Sequence, residues 1–356
     1  MRLGTRTVVL TAFAAITCSV AGCGPAAAGH GQRPGAAQSA RSAQSAAGAA
    51  RTTPPATPSP ARPSASPVIE AAGAPGGVKA KGTVLADAAT GQVLWERDMD
   101  TERPMASVTK VMTALLVLEG ADLGQQIRVP KAAFTYAWKN GGETASLRPG
   151  DVLTAQELLE ALLLPSGADA AYTLANAYGP GVNTFIARMN TTAARMGMTH
   201  THFTSPDGLP YPTETSTYST PSDLLTLGLV AMRYPVFRSI VDLRFFHLPK
   251  GPGHHDYWWD NTDGLIGSYQ GAVGIKTGYT DDAGHCLLFE AIRNGRTLIG
   301  VVLDSPATGP AAGAQDAERM LNWGFRLRGT ATPGTIAATP GTIAATPGTI
   351  AATPGR

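Results

Sequence analysis

The sequence predicts an α/β fold of the α+β kind: an antiparallel sheet flanked by helices, with a helical subdomain inserted between the two halves of the sheet. Three observations carry that expectation. Two β-rich runs meet at a glycine-containing turn near residue 90, a series of helical patterns fills the middle of the chain, and further short β-rich runs precede a last helix. Strands at both ends with helices between them suit one sheet assembled from the two ends of a single domain.

The elements follow in order. "GTVLADAATGQVLWERD" (82–98) places two β-rich runs around a Gly-containing turn and predicts a hairpin. "MASVTKVMTALLVLEG" (105–120) is an apolar helix from Lys110 onward. "LTAQELLEALLLPSGADAAYTLANAYG" (153–179) gives two helices broken at Pro165-Ser166-Gly167, and "GVNTFIARMNTTAARMG" (181–197) a further amphipathic one. "TPSDLLTLGLVAMRY" (220–234) opens on an N-cap, Thr220 or Ser222, and is helical. Short strands follow in "FFHLP", "GAVGIKTGYT", "GHCLLFEAIRNG" and "RTLIGVVLDS"; Asn294-Gly295 between the last two is a strong hairpin turn. A final helix is expected over about 314–327.

Both ends of the chain are compositionally different from this domain, expected over 78–328. Of the 356 residues 43% are hydrophobic, enough for a real core, and the net charge of +2 is mixed in sign along the chain. That balance argues against nucleic acid as a partner and against a polybasic membrane patch. Residues 1–23 read as a targeting segment: Arg2 and Arg6, an apolar run too short and broken to span a membrane, then Val20-Ala21-Gly22-Cys23. Small residues directly before a cysteine resemble a bacterial lipoprotein processing site, which would make Cys23 the acylated mature N-terminus; the alternative is ordinary signal cleavage after "PAAA" (25–28). Residues 24–77, almost wholly Ala, Gly, Pro, Ser, Thr, Gln and Arg, read as a disordered tether. In 329–356 "ATPGTIA" recurs every seven residues, but each repeat carries Pro-Gly, which excludes a coiled coil and leaves a low-complexity disordered tail. With Cys18 in the signal and Cys23 lipidated, Cys286 alone remains, so no internal disulfide is expected, and its apolar setting reads as a buried, inert thiol.

Chemistry concentrates at Ser107 and Lys110. Three residues apart on a helix, they share a face. A serine hydroxyl needs a base, and a lysine amine serves only when burial or a neighbouring positive charge keeps it neutral. The helix start adds backbone N–H groups suited to an oxyanion. Alone, Ser-x-x-Lys is equally a capping serine and a surface lysine. Two further pieces add weight: Ser166 at the break between helices, and Lys276-Thr277-Gly278 in a strand-like run whose glycine allows close backbone approach. The histidines 247, 254 and 255 lie in what reads as a Gly/Pro loop, with no cysteine or carboxylate pattern to complete a metal site, so neither metal nor cofactor is expected.

The order Ser-x-x-Lys, Ser-Gly-x, Lys-Thr-Gly is the signature of penicillin-binding proteins and serine β-lactamases. The stretches "SLRPGDVLTAQELLEALLLPSGADAA", "THFTSPDGLP", "YSTPSDLLTLGLVAMRYPVFRSIV" and "NTDGLIGSYQGAVGIKTGYTDDAGHCLLFEA" resemble the low-molecular-mass penicillin-binding proteins of the serine-type D-alanyl-D-alanine carboxypeptidase family over nearly all of 78–328. The resemblance implies the DD-peptidase/β-lactamase-like fold, a monomer, and catalysis on peptidoglycan stem peptides. Ser107 would attack the D-Ala-D-Ala carbonyl and form an acyl-enzyme, with Lys110 as base and Ser166 relaying a proton to the leaving D-alanine. Lys276 and Thr277 would recognise the terminal carboxylate, and the N–H groups of Ser107 and Tyr279 would hold the oxyanion. β-Lactams would trap Ser107. Of the two cleft lysines, Lys110 is expected to lose its proton, because it adjoins the nucleophile and an apolar helix. One position departs from the pattern: Ala168 stands where the second signature element usually ends in Asn, and an Asn is expected to fit there without cost. Two rivals remain. A β-lactamase would need a further carboxylate to activate water, and no such loop is visible; a non-catalytic binding lipoprotein would have no use for the base.

Overall fold

The computed structural model describes residues 73–327 apart from Ala121, Ala307, Thr308 and Pro310. The targeting segment with Cys23, the C-terminal repeats, and the tether apart from residues 73–77 lie outside the described residues.

The chain enters through β1 (Gly82–Asp87) and β2 (Val93–Arg97), the expected hairpin. It continues through β3 (Arg103–Pro104) and a 3-10 turn at Ala106–Thr109 into α1 (Lys110–Leu118). Next come β4 (Gln126–Arg128), α2 (Lys131–Lys139), β5 (Val152–Thr154), α3 (Ala155–Leu163), α4 (Ala168–Tyr178) and α5 (Val182–Arg195). After β6 (Tyr218–Ser219), α6 (Pro221–Ala231) and α7 (Pro235–Val241), the hairpin β7 (Phe245–Leu248) and β8 (Tyr257–Asp260) precedes β9 (Ala272–Thr280), β10 (Gly284–Arg293), β11 (Arg296–Ser305) and α8 (Ala312–Arg326).

The main sheet runs β2-β1-β11-β10-β9, antiparallel throughout, so β1 pairs with β11 and closes the two ends of the domain on each other. Every element from β3 to β8 is inserted between β2 and β9, as the order of patterns predicts. Both faces of the sheet are buried, and the period of two divides them. Val84, Ile299, Val301 and Leu303 join one core with α6 and, beyond it, α1, α3 and α4, while Leu85, Leu298, Val302 and Phe289 share a second core with Met320 and Leu321 of α8.

Local signals act where expected. Thr154 and Glu157 form a reciprocal capping box on α3 (Glu157 N–H to Thr154 Oγ1 3.1 Å, Thr154 N–H to Glu157 Oε2 2.7 Å). Of the two candidate caps of α6 it is Thr220 that accepts, from the Asp223 N–H at 3.1 Å. Asn294 and Gly295 both adopt positive φ, 49° and 75°, as a two-residue turn of the primed type requires. The histidine loop is corrected in part: residues 249–256 are the turn of a two-stranded hairpin, Tyr257–Asp260 form its second strand, and His247 in the first pairs with Trp258.

Candidate active site

Ser107 lies in the 3-10 turn and Lys110 opens α1. The residue before the nucleophile, Ala106, holds φ at +47°, an unfavourable region for a side chain with a Cβ, and strain of this kind is retained where the surroundings over-determine it. Two glycines show how. A Cβ on Gly208 would fall 1.8 Å from the Ala106 carbonyl oxygen, so the turn Ser205–Leu209 presses its backbone directly on the nucleophile segment. A Cβ on Gly278 would lie 2.9 Å from the Met105 oxygen and 3.0 Å from the Ser107 nitrogen, so β9, the edge strand, abuts the turn from the other side. The close approach expected of Gly278 is thereby realised.

Lys110 is buried, and its Nζ donates to Ser107 Oγ at 2.8 Å and to the Asp207 carbonyl at 2.9 Å. Thr113, one turn on, donates to the Pro206 carbonyl at 2.6 Å, so α1 is clamped to the 205–209 turn. Sequence reasoning assigned that turn no role; its only signal was Pro-Asp-Gly, which marks a turn but not what the turn touches. The Asp207 carboxylate accepts from Tyr136 O–H at 3.0 Å and from Leu209 N–H at 3.1 Å.

Lys276 on β9 is also buried, its Nζ donating to the Thr277 carbonyl at 3.0 Å. Thr277 Oγ1 lies 2.7 Å from Thr262 Oγ1, and Thr262 N–H donates to the Leu164 carbonyl at 3.1 Å. This chain of contacts ties the edge strand to the segment that carries Ser166. Ser166 itself is buried, with φ at +65°, between α3 and α4; among the described residues no hydrogen bond links it to Ser107 or Lys110. Tyr279, next along β9, exposes its ring.

Electrostatics act on both cleft lysines. Burial lowers both amines, Lys110 to about 8 and Lys276 to about 7. The charges of Asp207, Asp169 and Glu143 hold Lys110 up, whereas the charge of Lys110 pushes Lys276 further down against Asp263 and Glu143. Both amines are thus held below the ordinary lysine range by burial, and each disfavours a second positive charge in the cleft. Asp263, buried beside Lys276 with one carboxylate oxygen unpartnered, is raised to about 6 by desolvation.

Ala168 departs from expectation. It is fully buried at the start of α4, and a Cβ built on Gly142 would come within 2.8 Å of its own. Gly142 thus packs its backbone close against the Ala168 methyl, which has no solvent contact. Asp169 beside it accepts from Thr144 Oγ1 and from the N–H groups of Ala145 and Leu147 at 2.6, 2.9 and 2.9 Å, fixing the loop opposite. Cys286 is buried and its thiol is pushed up to about 12, an inert group as expected.

Comparison with known proteins gives consistent likenesses. A family described as D-alanyl-D-alanine carboxypeptidase matches residues 69–307. A D-alanyl-D-alanine carboxypeptidase of Streptomyces sp. (strain K15) is 40% identical over 250 residues, 67% of this chain and 84% of the relative. One of Mycobacterium tuberculosis is 38% identical over 258 residues, 71% of this chain and 84% of the relative. Among solved structures, the Streptomyces K15 DD-transpeptidase matches with a TM-score of 0.66 at 38% identity, covering 70% of this chain and 98% of that one. The D-alanyl-D-alanine carboxypeptidase of Mycobacterium tuberculosis H37Rv matches with 0.64 at 33% identity, covering 75% and 96%.

Proposed function

This chain belongs to the D-alanyl-D-alanine carboxypeptidase family, and on that premise we propose that Ser107 is the nucleophile through which it removes the terminal D-alanine of peptidoglycan stem peptides. The observation that carries the assignment is the 2.8 Å contact from the buried Lys110 amine to Ser107 Oγ. A neutral Lys110 takes the hydroxyl proton as Oγ bonds to the substrate carbonyl carbon, and the oxyanion is held by the backbone N–H groups of Ser107 and Tyr279. Ser166 passes a proton to the departing D-alanine. Water then attacks the ester, its proton returns through Lys110, and Ser107 is regenerated.

Substrate itself arms the base. The terminal carboxylate, placed at Lys276, Thr277 and Gly278, favours the protonated form of Lys276. The resulting positive charge disfavours a second one on Lys110.

The test is release of D-alanine from a D-Ala-D-Ala peptide, with fluorescent penicillin as a second readout. Wild type is expected to do both and Ser107→Ala neither. A penicillin tag on a peptide lacking Ser107 would overturn the assignment.

The same reading puts the protein on the outer face of the bacterial membrane, held by lipid on Cys23 through a Pro/Ala-rich tether. Support comes from the small residues before Cys23 and the Pro/Ala-rich run after it. A single acyl chain holds weakly, whereas several hold firmly. Unchanged membrane association of Cys23→Ala would refute the anchor.

A further inference from the structure

The end of the main sheet remote from the cleft carries a basic pocket that catalysis does not use. Its volume is about 440 Å³, and it lies where the β10–β11 turn meets the last turn of α8. Arg293, Arg296 and Arg326 line it with Asn294, Asn322 and Phe325; among the described residues no carboxylate does. Strand register gives its distance from the chemistry. Gly278, which abuts the nucleophile turn, pairs with Cys286 on β10, and Arg293 closes the far end of that strand. At about 3.4 Å per residue the two places are roughly 24 Å apart.

The three arginines are held differently. Arg296 is committed to the fold: its Nε–H donates to Asp87 Oδ2 at 3.1 Å, and its Nη1 to the Gly324 and Leu327 carbonyls at 3.0 and 3.2 Å. It thereby covers carbonyls at the C-terminus of α8, whose negative dipole end would otherwise repel an anion. Arg293 is fixed but not consumed. Its Nε–H donates to the Gln270 carbonyl at 2.9 Å. Its Cζ lies 4.3 Å from the ring centroid of Tyr269 and 5.0 Å from that of Phe325, a cation–π contact on both rings. Among the described residues nothing accepts from the Arg293 Nη groups or from the exposed Arg326, and neither side chain has an ion pair. Asn322 Oδ1 accepts from the Tyr269 O–H at 3.0 Å, and no described residue takes the N–H groups of its amide.

This donor set selects its ligand. Two uncommitted guanidinium forks and a side-chain amide offer more N–H groups than the two oxygens of a carboxylate can accept, and they match the several oxygens of a tetrahedral phosphate. Aromatic contacts already restrain Arg293 in the free protein, so binding costs it less side-chain entropy. Phe325 and Leu327 supply an apolar wall for the carbon skeleton beside the phosphate. A bilayer fits worse. Arg293 and Arg326 alone fall short of the about four to eight basic residues that hold a domain on anionic lipid, and the site is concave.

We propose that this pocket is a phosphate-ester site, which takes one phosphodiester of a linear polyanionic chain and docks the domain on that chain. The site acts independently of the reaction at Ser107.

The experiment uses the full chain carrying Cys23→Ala, so that no acyl group contributes, and labelled poly(glycerol phosphate) as the probe, with binding read by fluorescence anisotropy. Saturable binding is expected, displaced by inorganic phosphate and weakening as salt rises. Arg293→Lys keeps the charge but loses the planar fork, and is expected to raise the dissociation constant about tenfold. Arg326→Gln is expected to raise it about fivefold, the scale of one exposed charge contact. Poly-L-glutamate of equal charge is expected to bind about tenfold more weakly than the phosphate polymer. Thermal unfolding checks that each variant is folded; where Arg293→Lys is not, the exposed Arg326→Glu carries the test and should abolish binding. No binding of poly(glycerol phosphate), binding unmoved by the Arg293 and Arg326 variants, or equally tight binding of poly-L-glutamate would each overturn the site. So would binding to phosphatidylglycerol vesicles without binding to the soluble polymer. None of these readouts involves Ser107, so failure here is distinct from failure of the carboxypeptidase reading.

Discussion

Burial pulls the Lys110 amine down, and Asp207 is the strongest of the charges that oppose it. Its carbonyl takes one Lys110 N–H, and its carboxylate charge is the largest influence keeping that amine protonated against burial. Asp207→Asn retains the carbonyl and removes the charge. The Lys110 pKa is then expected to fall below about 8, moving the acid limb of penicillin acylation to lower pH. An unmoved limb would mean that Asp207 acts only through packing. At Ala168 the expectation is the reverse of an improvement. An Asn must displace a fully buried contact, so Ala168→Asn is expected to cost ~1–3 kcal/mol, seen as a lower denaturation midpoint. At this scale the sequence is legible where chemistry is written in one short stretch, as with Ser107 and Lys110. It is silent where a partner arrives from 97 residues away, as Asp207 does.

The nucleophile segment is held by backbone pressed on backbone, the 205–209 turn on one side and β9 on the other. A methyl at Gly278 meets the Met105 oxygen and the Ser107 nitrogen, neither of which can rotate away. Gly278→Ala is expected to keep the fold and reduce acylation about 100-fold, since an ångström of misplacement costs that much; near-normal acylation would show that the strand can shift freely. The long elements were legible because their periods are strong: the first and last hairpins, α3, α4, α5 and α6 all lie where the patterns put them. Helix α2 was not, because "KAAFTYAWK" lacks a capping side chain and leaves Phe134 and Trp138 exposed instead of forming an apolar stripe. Strand β7 was read from "FFHLP", but its partner β8 was hidden, because the Gly, Pro and His residues of the turn before it made "YWWD" read as the end of a loop.

The whole molecule carries the energetic consequence of burying two amines and several carboxylates in one domain. Asp263 and Glu160 are raised by desolvation to about 6 and about 7, so between roughly pH 4 and 7 the folded chain binds more protons than the unfolded one and stability falls as pH rises. The lysines act oppositely. Their folded values, about 8 for Lys110 and about 7 for Lys276, lie below the 10.5 of an exposed lysine. Between those values and 10.5 the unfolded chain binds more protons, so stability increases with pH across that window and is lost as pH falls through it. Above about 10 the trend turns again, because the thiol of Cys286 and the phenols of Tyr136 and Tyr257 are raised by burial and resist ionising in the folded chain. A minimum of stability near neutrality is the expected result, with the midpoint of thermal unfolding rising by about 5 °C or more from pH 7 to 9 for a gain of a few kcal/mol. The double variant Lys110→Met with Lys276→Met removes both titrating groups while keeping apolar volume, and should be more stable than wild type at pH 7 and nearly flat to pH 9. An equally steep rise in that variant would assign the effect to other groups and would mean that neither amine is held below its usual range.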